Sequence, residues 1–240
     1  MSGAEERALL SLRPVPPERT VAYGEHPSQV VDFYGTGGSG PRVVVLHGGF
    51  WREPYDRSHL SPFAAALAER GVRVELVEYR RTGGGGGWPV TAEDVAAALE
   101  ALGPPAVLLG HSAGGQLALW AASAAERAAG RVVAVSPVAD LERAHALRLS
   151  DGAVAGFLGG EGELARRLPE ADPMRLPPRV PVEILHGTVD DVVPVELSRR
   201  YANDWGVRLN LLPGVGHYAP FVPGSPAFGV LADAVARGPV

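Results

Sequence analysis

Ala106-Val-Leu-Leu-Gly110-His111-Ser112-Ala113-Gly114-Gly115-Gln116-Leu-Ala-Leu119 is the stretch on which the fold turns. Its first half, 106–110, is short and apolar and reads as a buried strand. Its second half, 112–125, is rich in Ala and Leu and reads as a helix. Between them lies G-x-S-x-G. A strand passing straight into a helix there forces a sharp turn, which lifts Ser112 clear of the sheet, and the flanking small residues let backbones pass closely. The helix that follows points its positive end at any anion forming beside the serine. An incidental serine in a glycine-rich turn is the plain structural alternative, and the strand–helix context argues against it.

Outward from this turn the same rhythm repeats. Strands are expected at 29–34 (QVVDFY), 42–47 (RVVVLH), 72–79, 132–136, 182–186 and 208–212. Helices are expected at 56–70, closed by Gly71, and at 91–102, with Thr91 as N-cap. Further helices are expected at 195–205 and 228–237. Residues 1–27 read as an irregular, proline-broken lead-in. Alternating strands and helices predict a mostly parallel sheet with helices on both faces, with ligands bound beyond the strands' carboxyl ends. Residues 137–178 break the rhythm with helical pieces, a glycine pair and several prolines. An insertion of that length is expected to be a lid on a single domain spanning 1–240.

Composition limits the chemistry. The chain has 240 residues, is 46% hydrophobic and 20% charged, and carries a formal net charge of −5. That is the profile of a globular domain, with no basic excess to suggest a nucleic-acid partner. It has no cysteine, which removes disulfides, a thiol nucleophile and thiolate-bound metal. The opening MSGAEERALLSLRP is charged and lacks a long apolar run, so no secretory signal is expected and the cytoplasm is the expected location. No segment has the length to span a bilayer. The sequence leaves the oligomeric state open.

Three more stretches end strands and carry polar chemistry. His47-Gly48-Gly49-Phe50-Trp51 follows the 42–47 strand. A tetrahedral intermediate needs N–H donors aimed at its oxygen, and the amides of Gly49, Phe50 and Ala113 are the candidates for that oxyanion hole. His47 could be a base, but a histidine bracing this loop is the better reading. Next, 185–194 (LHGTVDDVVP) offers Asp190 and Asp191 as carboxylates able to fix an imidazole tautomer. Asp191 reads equally well as a helix N-terminal acid. Finally, Gly214-Val-Gly-His217 follows the last strand, and His217 alone among seven histidines does so. Ser, then Asp, then His is the chain order in which such a sheet assembles a nucleophile, an orienting acid and a base.

Trp51, Tyr55 and Trp88 lie beyond strand ends and are candidate substrate-binding residues, with core packing an equal alternative. Gly83 to Gly87 reads as a flexible connector, with a mobile wall of the pocket as the functional alternative. His47, His111 and His186 share no metal-ligand spacing, so neither a metal nor a cofactor is expected.

With these residues in view, the chain resembles the α/β-hydrolase superfamily over nearly its whole length. Within it, HGGFW with GHSAGG looks like the kynurenine formamidase (arylformamidase) group and neighbouring small carboxylesterases. Tyr23-Gly24 with Gln29-Val-Val-Asp32-Phe-Tyr34 is similar to the entry segment of those enzymes. The resemblance implies the α/β-hydrolase fold, an oxyanion loop at His47-Gly48-Gly49, and a triad of Ser112, Asp190 and His217. It thereby favours Asp190 over Asp191. Position 50 departs from the esterase pattern, where a third glycine is usual, and Phe50-Trp51 is nearer the formamidase pattern. The expected function is cleavage of small esters or aryl formamides, with a small-molecule substrate as partner. Phe50 and Trp51 are expected to crowd long acyl chains. A non-catalytic ligand-binding member of the same fold is the alternative from another class.

Overall fold

The computed structural model describes residues 2–124 and 129–237. In chain order the elements are α1 (Ser2–Leu10), β1 (Arg19–Ala22), β2 (Val30–Tyr34), β3 (Arg42–Leu46), α2 (Ser61–Ala68), β4 (Arg73–Val77), α3 (Val90–Leu102), β5 (Val107–His111) and α4 (Ala113–Ala124). They continue with β6 (Arg131–Val135), α5 (Leu141–Ala146), α6 (Leu149–Phe157), α7 (Leu164–Ala171), β7 (Val182–Gly187), α8 (Val195–Trp205), β8 (Arg208–Leu212) and α9 (Pro226–Ala236). The strands form one sheet in the order β1-β2-β4-β3-β5-β6-β7-β8. β1 pairs antiparallel with β2, and β2 antiparallel with β4. The neighbours from β4 to β8 pair in parallel.

Strands covered on both faces should be continuously apolar, and β3, β5 and β6 are so over 43–46, 107–110 and 132–135. Their side chains alternate between two cores. Val44, Leu46, Leu108, Val132, Ala134 and Ile184 face one layer, with Ala92 and Val95 of α3, Leu117 of α4 and Leu197 of α8. Val43, Val45, Leu109, Val133, Val135 and Leu185 face the other, with Leu9 of α1, Phe63 of α2 and Leu231 of α9. The register places Leu46 opposite Gly110, and His111 opposite Val135, so the ends of β3, β5 and β6 reach the same edge of the sheet.

The structure departs from the sequence reading at several points. The lead-in contains a helix and an edge strand. β1 is exposed along its length, so it lacks the alternation by which a strand is recognised. The 56–70 helix is divided. A 3₁₀ turn, Arg57–Leu60, precedes α2, whose first turn holds Pro62, a residue without the N–H that would continue a helix. Thr91 is not an N-cap. It sits inside α3, where its hydroxyl accepts from Gly87 N–H at 3.0 Å and donates to Arg80 O at 2.7 Å. Ala125, the expected end of the 112–125 helix, lies outside the described residues. Residues 137–178 hold α5, α6 and α7. Among the described residues no helix is long and apolar enough to cross a membrane.

Candidate active site

β5 ends at His111 and α4 begins at Ala113, leaving Ser112 alone in the turn with φ 55°. A left-handed serine is strained, and the surroundings hold it there. Ser112 N–H donates to Val135 O at 3.0 Å, while Ser112 O accepts from Gln116 N–H at 3.1 Å and from Val138 N–H at 3.2 Å. Gly114 is required by space. A Cβ there would lie 2.2 Å from Leu46 O and 2.3 Å from His47 O, so α4 can pack against the end of β3 only without a side chain. Ser112 opens onto a cavity of about 510 Å³ whose wall also includes Gly49, Phe50, Tyr55, His111 and His217.

The loop after β3 supplies that wall. His47 is fully buried. Its Nε2 lies 2.9 Å from Glu78 Oε1, its ring stacks on Tyr79 at 4.4 Å, and Tyr79 O–H donates to His47 O at 2.6 Å. These contacts tie the loop to the end of β4. Gly49 has φ 111°, and a Cβ there would meet Tyr55 Cβ at 2.3 Å, so the Tyr55 ring folds directly over the loop. Phe50 follows at φ 47°. Among the described residues the amides of Gly49, Phe50 and Ala113 engage no hydrogen-bond acceptor. Gly49 and Phe50 line the cavity, and Ala113 directly follows Ser112, which also lines it.

His217, on the loop after β8, is buried, and its Nδ1 lies 2.7 Å from Asp190 Oδ2. The Asp190 side chain is fully enclosed. Its Oδ1 accepts from Val192 N–H at 3.0 Å and Val193 N–H at 2.8 Å, and its Oδ2 lies 3.3 Å from His186 Nε2. Burial alone would raise the carboxyl's pKa. The hydrogen bonds from His186, His217 and Val193 outweigh it and hold the group ionised well below the usual carboxylate range. His186 is itself fixed, with Nε2 2.9 Å from Val193 O and Nδ1 2.7 Å from Ser198 Oγ. Asp191 is exposed and belongs to the cavity wall. The carboxylate that meets the His217 ring is Asp190.

Of the three aromatic candidates, only Tyr55 lines the cavity. Placing Trp51 and Trp88 there needs correction. Trp51 is fully buried, stacked on Phe157 at 4.4 Å, with Nε1–H donated to Gln116 Oε1 at 3.1 Å. Trp88 is 6% exposed and meets Trp120 and Phe157 edge-on. The interior offers both indoles apolar contact, and offers Trp51 an acceptor for its N–H.

Two features escaped the sequence reading. His111 is buried behind Ser112. Its Nε2 lies 3.1 Å from His217 O, a geometry in which the ring N–H donates, and the two imidazoles stand 4.7 Å apart. Burial first, then the neighbouring His217 and His59, keep His111 from protonating until well below the ordinary histidine range. The G-x-S-x-G pattern leaves that position unspecified and so carries no signal for it. The second is which part of the expected 137–178 lid reaches the cavity: Leu147, Arg148, Leu149, Ser150 and Asp151 line it. Arg148, Ser150 and Asp151 have φ of 52°, 47° and 52°, and Arg52 Nη2 donates to Ser150 O. Among the described residues no group of three or more His, Asp or Glu side chains is placed to hold a metal ion.

Comparison with known proteins agrees with this architecture. Among solved structures, Esterase B from Lactobacillus rhamnosis, inhibited by a tributyrin phosphonate, superposes with a TM-score of 0.73. It has 20% identity over 98% of this chain and 92% of its own. Thermogutta terrifontis esterase 2, phosphonylated by sarin, gives 0.73 with 21% identity over 93% and 95%. At that identity the likeness establishes the α/β-hydrolase fold. Uncharacterized proteins of Mycobacterium tuberculosis, from strains CDC 1551 / Oshkosh and ATCC 25618 / H37Rv, are 32% identical over 197 residues, 77% of this chain. The match spans 66% of their own length, just short of two thirds. A model of the alpha/beta hydrolase family matches residues 43–177, more than half of the sequence and all of the serine turn, and the chain belongs to that family.

Proposed function

We propose that this chain is a serine hydrolase of small carboxylic esters, with Ser112 as nucleophile, His217 as base and Asp190 as the acid that orients it. The observation that carries the reading is the 2.7 Å contact between His217 Nδ1 and an enclosed, ionised Asp190, on a histidine that shares one cavity with Ser112. With Nδ1–H donated to the carboxylate, Nε2 holds the lone pair. It takes the Ser112 proton as Oγ attacks the substrate carbonyl carbon. The carbonyl π electrons move to oxygen, where the amides of Gly49, Phe50 and Ala113 receive the negative charge. The oxyanion collapses, the leaving group departs with the proton from His217, and an acyl group remains on Ser112. Water, deprotonated by His217, attacks that acyl carbon, and the acid product leaves as the proton returns to Ser112. The esterases that share the fold support an ester substrate.

Aryl formamides form the second substrate class, favoured by the aromatic side chains of Phe50, Tyr55 and Tyr218 in the wall. We read residues 137–178 as the cap of this cavity, since 147–151 form part of its wall. The test is fluorophosphonate labelling of the folded protein, with p-nitrophenyl esters and N-formylkynurenine as substrates. Adduct on Ser112 and ester turnover are expected. Fast ester cleavage without formamide cleavage assigns the enzyme to the carboxylesterases. No adduct and no turnover would move the chain to the ligand-binding reading.

A further inference from the structure

The loop that carries His217 is held from a distance by a residue near the other end of the sequence. Glu5, on α1, points its carboxylate into that loop. Its Oε1 accepts from Gly216 N–H at 2.9 Å, and its Oε2 accepts from Tyr218 N–H at 3.1 Å and Ala219 N–H at 3.2 Å. The three amides flank His217 on both sides, so one carboxylate fixes the backbone before and after the base. A carboxylate suits this, because it offers acceptor sites on both oxygens and no donor. The helix is anchored in turn by Leu9, which is 1% exposed among the core residues beneath α9 and α2. From the opposite side, His111 Nε2 engages His217 O.

We propose that Glu5 is a positioning residue, acting through the 216–219 backbone to aim the His217 ring at Ser112. This rests on the hydrolase reading above. A displacement of about 1 Å in a catalytic group costs on the order of a hundredfold in rate, so a clamp on this loop has kinetic weight.

The experiment compares the wild type with Glu5→Ala, Glu5→Gln, Arg7→Gln and Leu9→Ala. Each is measured for melting temperature, for kcat and KM on p-nitrophenyl acetate, and for the low-field proton NMR signal of His217 Nδ1–H. Glu5→Ala should lower kcat about 10- to 100-fold with KM little changed, and broaden the Nδ1–H signal. Glu5→Gln keeps the size of the side chain but sets an NH₂ against one of the loop's donors. It should fall between Ala and wild type, and it serves if the Ala variant folds poorly. Arg7→Gln, exposed on the same helix, should match the wild type. Leu9→Ala loosens the helix without removing the carboxylate, and should lower the melting temperature more than kcat. Wild-type kcat with an intact signal in Glu5→Ala would overturn the proposal. So would Leu9→Ala losing as much kcat as Glu5→Ala at equal melting temperature. If the wild type neither labels nor turns over, the hydrolase reading has failed, and the NMR signal still decides the clamp. An unchanged signal in Glu5→Ala overturns it, and a lost one supports it.

Discussion

Ser112 occupies a left-handed turn held by backbone bonds, so its hydroxyl is not what keeps the turn folded. Ser112→Ala should therefore retain the wild-type melting temperature while kcat falls by roughly four orders of magnitude or more. Wild-type rates in that variant would refute the nucleophile. The two adjacent carboxylates are predicted to differ sharply. Asp190→Asn replaces one acceptor of the His217 N–H with a donor or leaves the wrong tautomer, and should cost about 10³- to 10⁴-fold in kcat. Asp191→Asn, on the exposed wall, should change kcat much less. The reverse ranking would show that the wrong acid has been assigned. The serine turn, the glycine loop after β3 and the position of His217 were legible in sequence because each follows a strand end. The choice between Asp190 and Asp191 was not legible from the residues themselves. It depends on which side chain turns inward to two backbone N–H groups and a ring nitrogen.

At the scale of elements, the loop after β3 separates two adjacent aromatic residues. Trp51 enters the core and Phe50 remains at the cavity. Trp51→Ala should cost about 3–5 kcal/mol of stability, as for other buried large aromatics. Tyr55→Ala, 47% exposed, should cost less than about 1 kcal/mol and act on KM instead. Urea unfolding of both variants checks this, and equal losses would contradict the placement. With Trp51 turned away, crowding of the acyl group falls to Phe50 and Tyr55. Acetyl and butyryl esters should be cleaved at least about tenfold faster than esters of eight carbons or more. Phe50→Gly, which suits the left-handed backbone, should narrow that ratio. A wild-type preference for the long chains would end the crowding argument. The sequence could not separate the two rings, because the partner that draws Trp51 inward, Gln116, is 65 residues away. The same holds for α1 and β1. One is a short helix whose Glu5 finds its partners more than 200 residues away, and the other is an exposed edge with no pattern of its own. Periodicity reports burial along a segment, not long-range partners.

Across the whole molecule, the enclosed imidazoles of His111, His47 and His59, held neutral below the ordinary histidine range chiefly by burial, and the enclosed Asp190 shape how stability depends on pH. His111 stays unprotonated in the folded state well below the ordinary histidine range, whereas in the unfolded chain it takes up a proton below about pH 6.5. Its contribution is therefore present above that pH and lost as pH falls, at about 1.4 kcal/mol per unit. Asp190, ionised in the fold well below its usual range, adds a second such slope below about pH 4, where only the unfolded carboxyl protonates. Urea midpoints should fall from pH 7 to 5 and fall more steeply below 4. His111→Gln should remove about a third of the first slope, His47 and His59 supplying the rest, and an unchanged slope in that variant would rule out its share. The bond between Glu5 and the 216–219 loop has a consequence of a different kind, one of timing during synthesis. Sheet strands β1 to β6 and the serine turn are all made before residue 136, yet Glu5 and the His217 loop meet only after a loop of more than 200 residues closes. Loop closure on that scale is a late event in assembly. On the proposed roles, a nascent chain on the ribosome would carry a finished serine turn while remaining chemically silent, and hydrolysis would begin only when the far segment returns to dock on the first helix.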